Sequence, residues 1–208
     1  MPSLTRKRFL ALALLTAMHI LLPQPALSIP LPQGQQQEEC IPPPPTTKLE
    51  SFSVQTGVVL IRGISRIGFI KGKGSVTVAA MELRDSDNPD LRVTGLSITV
   101  KESEASGKEK TSYVDYDELD SLLKGIDTIS RADRNITRLT DFSAEYRTKG
   151  DFSVVTFSTG SGIHLAVSSG SCGKVTAHFE TTDLNQLKSL IQDGKAAIDF
   201  APQDANQK

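Results

Sequence analysis

Tryptophan is absent from this chain, tyrosine occurs three times and cysteine twice. Stacking platforms for single strands are built from aromatic side chains, so their scarcity argues against nucleic acid as a partner. The apolar run from Phe9 to Leu22 is shorter than the roughly 20 residues a membrane span requires. Neither sign of charge dominates, with 23 Lys and Arg against 24 Asp and Glu, so the global balance does not call for a polyanion. Catalytic signatures are missing too. "STGSG" and "SSGSCG" place no serine in a G-x-S-x-G strand-to-helix turn, and "GKGS" lacks the spacing and following helix of a phosphate loop. Neither an enzyme nor a cofactor is expected.

What is present begins with a basic and apolar N-terminus. Arg6, Lys7 and Arg8 precede the apolar run, and Pro23, Pro25 and the small residues Ala26-Leu27-Ser28 follow it. This is the pattern of a cleavable signal peptide over residues 1–28, which places the protein in the periplasm or outside the cell with no stable membrane anchor. Without a cysteine directly behind the run, a lipoprotein is not expected. Residues 29–49, rich in Pro and Gln, read as an extended tail that cannot bury enough apolar area to order itself. Residues 50–200 are one domain's worth of chain, and 201–208 a polar terminus. Export puts Cys40 and Cys172 in an oxidising space where a disulfide between them is expected.

Within the domain, strand-like runs rich in Val, Ile, Thr and Phe alternate with Gly, Asn, Asp and Pro turns: "SFSVQTGVVLIRGISRIGFI", "SVTVAAMEL", "LRVTGLSITV" and "KTSYVDY". A helix follows, with Asp115 and Glu118 in capping-box spacing and Leu119, Leu122, Leu123, Ile126 and Ile129 on one stripe. The second half repeats the plan with "DFSAEYRT", "FSVVTFSTGSGIHLAVS", "KVTAHFE" and a helix capped at Thr181 or Thr182. Leu119, Leu122 and Ile126 are answered sixty-five residues on by Leu184, Leu187 and Ile191. The same offset sets Thr94-Gly95 against Thr159-Gly160, Ile98 against Ile163, and Val114 against Phe179.

The fold class is therefore α+β, with a duplicated strand-meander-plus-helix unit, about 75–130 and 140–198, whose copies share one core. In topology alone, this order resembles the strand-strand-strand-strand-helix repeats of the Whirly and PUR single-stranded nucleic-acid binders.

Three candidate sites emerge. Pairing of "GIHLAVS" with "KVTAHFE" about Ser171 sets Ile163 against Phe179 and places His164 directly across from His178, with Glu180 two positions along. Such a pair could share a divalent metal, although solvated histidines on an outer face are the simpler expectation. A basic set comprises Arg131, Arg134 and Arg138 after the first helix, and Arg62, Arg66, Lys71 and Lys73 along the first strand. These could hold an acidic polymer, or could be solvated charges that discourage sheet-to-sheet aggregation. Cys172 lacks an adjacent base, so it reads as structural. The expected function is a non-enzymatic binding or structural module for a protein or cell-envelope component; a polyanion or single-stranded nucleic-acid binder using the Arg clusters, and metal-dependent activity at the histidine pair, are the alternatives.

Overall fold

The computed structural model describes residue 41 and residues 43–201, apart from 89 and 104. The expected signal peptide, Cys40, most of the expected tail and residues 202–208 lie outside the described residues. Element order is α1 (Lys48–Ser53), β1 (Leu60–Gly72), β2 (Gly74–Asp85), β3 (Arg92–Lys101), β4 (Glu109–Asp115), a 3-10 turn (Tyr116–Glu118), α2 (Leu119–Ile129), β5 (Ser143–Arg147), β6 (Phe152–Thr159), β7 (Gly162–Ser169), β8 (Val175–Phe179) and α3 (Asp183–Asp199). The strands form two four-stranded antiparallel meanders, β1-β2-β3-β4 and β5-β6-β7-β8. The α+β class and the pair of similar sheet units expected from the sequence are borne out.

The helices cross over. α2 ends the first unit but packs on β5 and β6, whereas α3 ends the second and packs on β1, β2 and β3; the two helices also touch each other. Leu119, Leu122, Ile126, Leu184, Leu187 and Ile191 are all buried in one core with Val76, Val78, Leu96, Ile98, Val154 and Val167. Each sheet is thus covered by the other unit's helix, which is the physical reason neither unit closes its core alone. Among the described residues, hydrogen bonds stitch the sheets at two places. Lys73 and His178 exchange backbone hydrogen bonds of 2.9 and 3.0 Å, and the buried hydroxyls of Ser112 on β4 and Ser169 on β7 lie 2.7 Å apart. Near the end of α3, Lys195 Nζ stands 5.0 Å from the Tyr116 ring centroid, and the Tyr116 hydroxyl donates to Asp199. That hydrogen bond, with help from Lys195, holds the Asp199 carboxyl below its usual range.

Register corrects part of the repeat. Leu96 pairs with Val114, and Leu165 pairs with Phe179. Val114 and Phe179 are counterparts at sixty-five residues, so the counterpart of Leu96 is Leu165, sixty-nine residues on. Thr94-Gly95 inside β3 therefore does not correspond to Thr159-Gly160 at the β6–β7 turn, nor Ile98 to Ile163. The offset holds through the fourth strand and helix of each unit and changes across the hairpin that precedes them.

The starts of the helices also differ from expectation. The expected tail runs through Leu49, yet Leu49 is fully buried, because Thr47 and Glu50 form a capping box that starts α1. Leu49 and Phe52 lay this short helix over Met81 and Leu83. The capping box expected from Asp115 and Glu118 does not form. Buried Asp115 instead accepts the backbone N–H groups of Lys48 (2.8 Å) and Leu49 (3.1 Å), while Glu118 accepts the Lys149 N–H. Thr182 is the N-cap residue of α3 but makes no side-chain cap bond; Asp183 instead accepts the Glu180 N–H at 3.1 Å.

Candidate functional site: the outer face of the first sheet

Side chains of a strand alternate between faces, so an uninterrupted β1 would send Arg62 and Arg66 to one side and Phe69 and Lys71 to the other. The strand is interrupted. Arg66 pairs with Ala79 and Gly68 with Val78, which leaves Ile67 as an extra residue in a β-bulge. Ile67 packs against the core, and the phase of the strand shifts by one. Arg62, Ile64, Arg66, Phe69 and Lys71 consequently share the face turned away from α3. Ile64 is 62 % exposed and Phe69 63 %, large values for such apolar side chains, and β1 is an edge strand.

Behind this row the same face is small and polar. Register carries Lys71 across to Ser75, Lys101 and Glu109, and Phe69 across to Thr77, Thr99 and Thr111. The Thr99 and Thr111 hydroxyls lie 2.7 Å apart. α1 covers only the far end, where Met81, Leu83, Val93 and Tyr113 meet Leu49 and Phe52. Among the described residues, the open part carries Arg62, Arg66, Lys71 and Lys101 together with the carboxylate of Glu109. Flexible cations around a floor of hydroxyls suit an extended anionic chain.

The other basic residues are not part of this face. α2 ends at Ile129, so Arg131, Arg134 and Arg138 lie in the loop before β5 and their spacing does not build a helical stripe. Arg134 donates to the Thr159 carbonyl and lies 3.9 Å from Asp141. The sequence joined two clusters that the fold separates.

The histidine pair needs a correction. The β7–β8 hairpin pairs two residues away from the expected register: Leu165 meets Phe179, Val167 meets Ala177, and His178 faces Ala166. A slip of two leaves every apolar residue on its face, so the alternation could not detect it. His164 faces Phe157 on β6 instead. Its Nε2 lies 3.0 Å from Thr159 Oγ1 and 3.1 Å from Ser161 Oγ, and its ring centroid is 5.5 Å from that of Phe157. Among the described residues no group of three or more His, Cys, Asp or Glu side chains is arranged to hold a metal. His164, His178 and Glu180 line one groove but are not the cross-strand pair that the sequence suggested.

Cys172 sits in the β7–β8 turn and is not a free thiol. Pro43, Pro44, Pro45 and Thr46 line one pocket with Gly170, Ser171 and Cys172, so the chain leaving Cys40 runs past this turn. No protein-family model matches this chain, and no curated protein or solved structure does so.

Proposed function

We propose that the protein is an exported, non-enzymatic binding module that holds an acidic polymer on the open outer face of β1 to β4. One observation carries the reading: the bulge between Arg66 and Gly68 gathers Arg62, Ile64, Arg66, Phe69 and Lys71 on one side of an edge strand. The sequence has a near-neutral charge balance, so this is a local excess and not a property of the whole chain. Phe69 is the aromatic on the open part of the face, too little for base-by-base stacking, and so the polymer is read as a sulfated or carboxylated chain. Retention of the mature protein on immobilised heparin, lost as salt shortens the Debye length, is the expected outcome. Passage through the column at low ionic strength overturns the proposal.

Export is the second part of this reading. The signal-like N-terminus supports it, as does a Cys172 that is not a free thiol in a turn flanked by the chain from Cys40. A Cys40–Cys172 disulfide closes a long loop and suits an oxidising compartment. Non-reducing mass spectrometry of exported protein is expected to find one intramolecular disulfide; two free thiols, or a disulfide-linked dimer, would contradict it.

A further inference from the structure

β1 is an edge strand, and among the described residues no strand lies against the outer side of its first half. The Ser86 N–H donates to the Val59 carbonyl at 3.0 Å, which fixes the phase of the β1–β2 ladder. Val59, Ile61, Gly63 and Ser65 turn their backbone groups to β2, so Leu60, Arg62, Ile64 and Arg66 turn theirs outward. Beyond the bulge the phase changes, and Lys73 shows what the outward edge can do: it exchanges two backbone hydrogen bonds with His178 of β8. Among the described residues only that far end is paired. Residues 61–66 are exposed.

Both faces of the open stretch carry recognition chemistry. On the outer face Ile64 stands between Arg62 and Arg66. On the face toward α3, Gly63 and Ser65 border an apolar pocket of about 270 Å³ with Ala80, Ala197, Ile198 and Ala201. A strand laid along this edge sends alternate side chains to the two faces, so its residues opposite Arg62 and Arg66 lie beside the guanidinium groups, and those opposite Gly63 and Ser65 lie over the pocket. A second copy of the chain fits badly. Antiparallel pairing of two β1 edges centred on this stretch sets Arg62 against Arg62 or Arg66, directly or on the diagonal, and like charges so placed are destabilising. Acidic residues reverse that sign, and aliphatic ones suit the pocket.

We propose that the 60–66 edge binds an acidic segment of a partner protein as an added antiparallel strand, with its carboxylates toward the arginines and its aliphatic side chains toward the pocket. The site goes beyond the polymer reading, because its main contacts are backbone groups of the edge, although Arg62, Ile64 and Arg66 also belong to the outer face.

The probe is a capped peptide in which glutamate and valine alternate, titrated into isotope-labelled mature protein and followed by amide chemical shifts and hydrogen exchange. Saturable shifts centred on residues 60–66 are expected, with exchange of the Arg62, Ile64 and Arg66 amides slowed about tenfold or more at saturation. In an added antiparallel strand the glutamates opposite the arginines aim their own N–H groups at β1. N-methylation of the glutamates is therefore expected to abolish binding, and N-methylation of the valines to preserve it. Arg62→Glu with Arg66→Glu should weaken the peptide about tenfold, the worth of two exposed ion pairs turned repulsive, and admit a peptide of alternating lysine and valine instead. Ile64→Pro removes one outward N–H at an edge position, where proline is tolerated, so the folded variant should lose the peptide and keep its retention on heparin. Peptide binding without heparin retention would sink the polymer reading alone, so the two proposals fail separately. Absence of saturable shifts, shifts centred elsewhere, equal binding of the two methylated peptides, or protection of the same amides without peptide, by self-association or by the chain's own tail, would each overturn the added strand.

Discussion

Gly194 of α3 stands so close to Leu96 of β3 that a Cβ at position 194 would lie 2.7 Å from Leu96 Cδ2. α2 makes the matching approach, since a Cβ at Gly125 would overlap the Tyr146 ring of β5. In both cases a helix meets the sheet of the other unit at a glycine. Replacing a helical glycine by alanine ordinarily returns about 1 kcal/mol, whereas overpacking a close contact costs about 1–3 kcal/mol. Gly125→Ala and Gly194→Ala are therefore each expected to lose up to about 2 kcal/mol in urea melts. A gain in either would mean that the helix sits farther from the sheet.

The helix stripes make a matched set. Leu119, Leu122, Leu184 and Leu187 are buried to within about 2 % of full exclusion, so truncating any of them to alanine should cost about 2–5 kcal/mol. His164→Ala and His178→Ala serve as controls on the outer face of the second sheet, with changes within about 0.5 kcal/mol expected. Silent leucines would remove the shared core. Costly histidines that zinc restores would revive the metal reading.

Glu118 supplies a pH dependence. Burial raises its carboxyl above the usual value, opposed by the Lys149 backbone N–H and charge, and its second oxygen is buried without a partner. A raised folded value means the folded state binds the proton more tightly, so this group disfavours folding at neutral pH, and the penalty disappears as pH falls through the raised value to the ordinary one of 4.5. Glu118→Gln should accordingly be favoured relative to wild type above that window, with the difference shifting toward wild type as pH drops through it. A difference that does not vary with pH would show the carboxylate to be well solvated.

Elements with strong periodicity were legible in the sequence, and features set by single residues were not. The Leu119 and Leu184 stripes follow directly from helical spacing and export no ambiguity. The hairpin register could not be read, because moving His178 from opposite His164 to opposite Ala166 preserves the apolar face. The bulge at Ile67 was invisible for the opposite reason: a one-residue insertion matters only once its partner strand is in place, and only then do Arg66 and Phe69 fall on one side. α1 did carry a signal, the Thr47 to Glu50 capping spacing, hidden by the prolines before it. The offset of Arg131, Arg134 and Arg138 resembled a helical row, but α2 stops before it begins.

Comparing the two basic clusters tests the central claim most directly. Arg62→Glu with Arg66→Glu alters the bulged face, whereas Arg131→Glu with Arg134→Glu and Arg138→Glu alters the loop after α2 and changes net charge by more. Elution from heparin in a salt gradient is measured for both and for wild type. If the face of β1 is the binding surface, the double variant elutes at markedly lower salt and the triple variant elutes near wild type. A larger loss in the triple variant, or equal losses scaled to charge, would contradict a localised site on the first sheet.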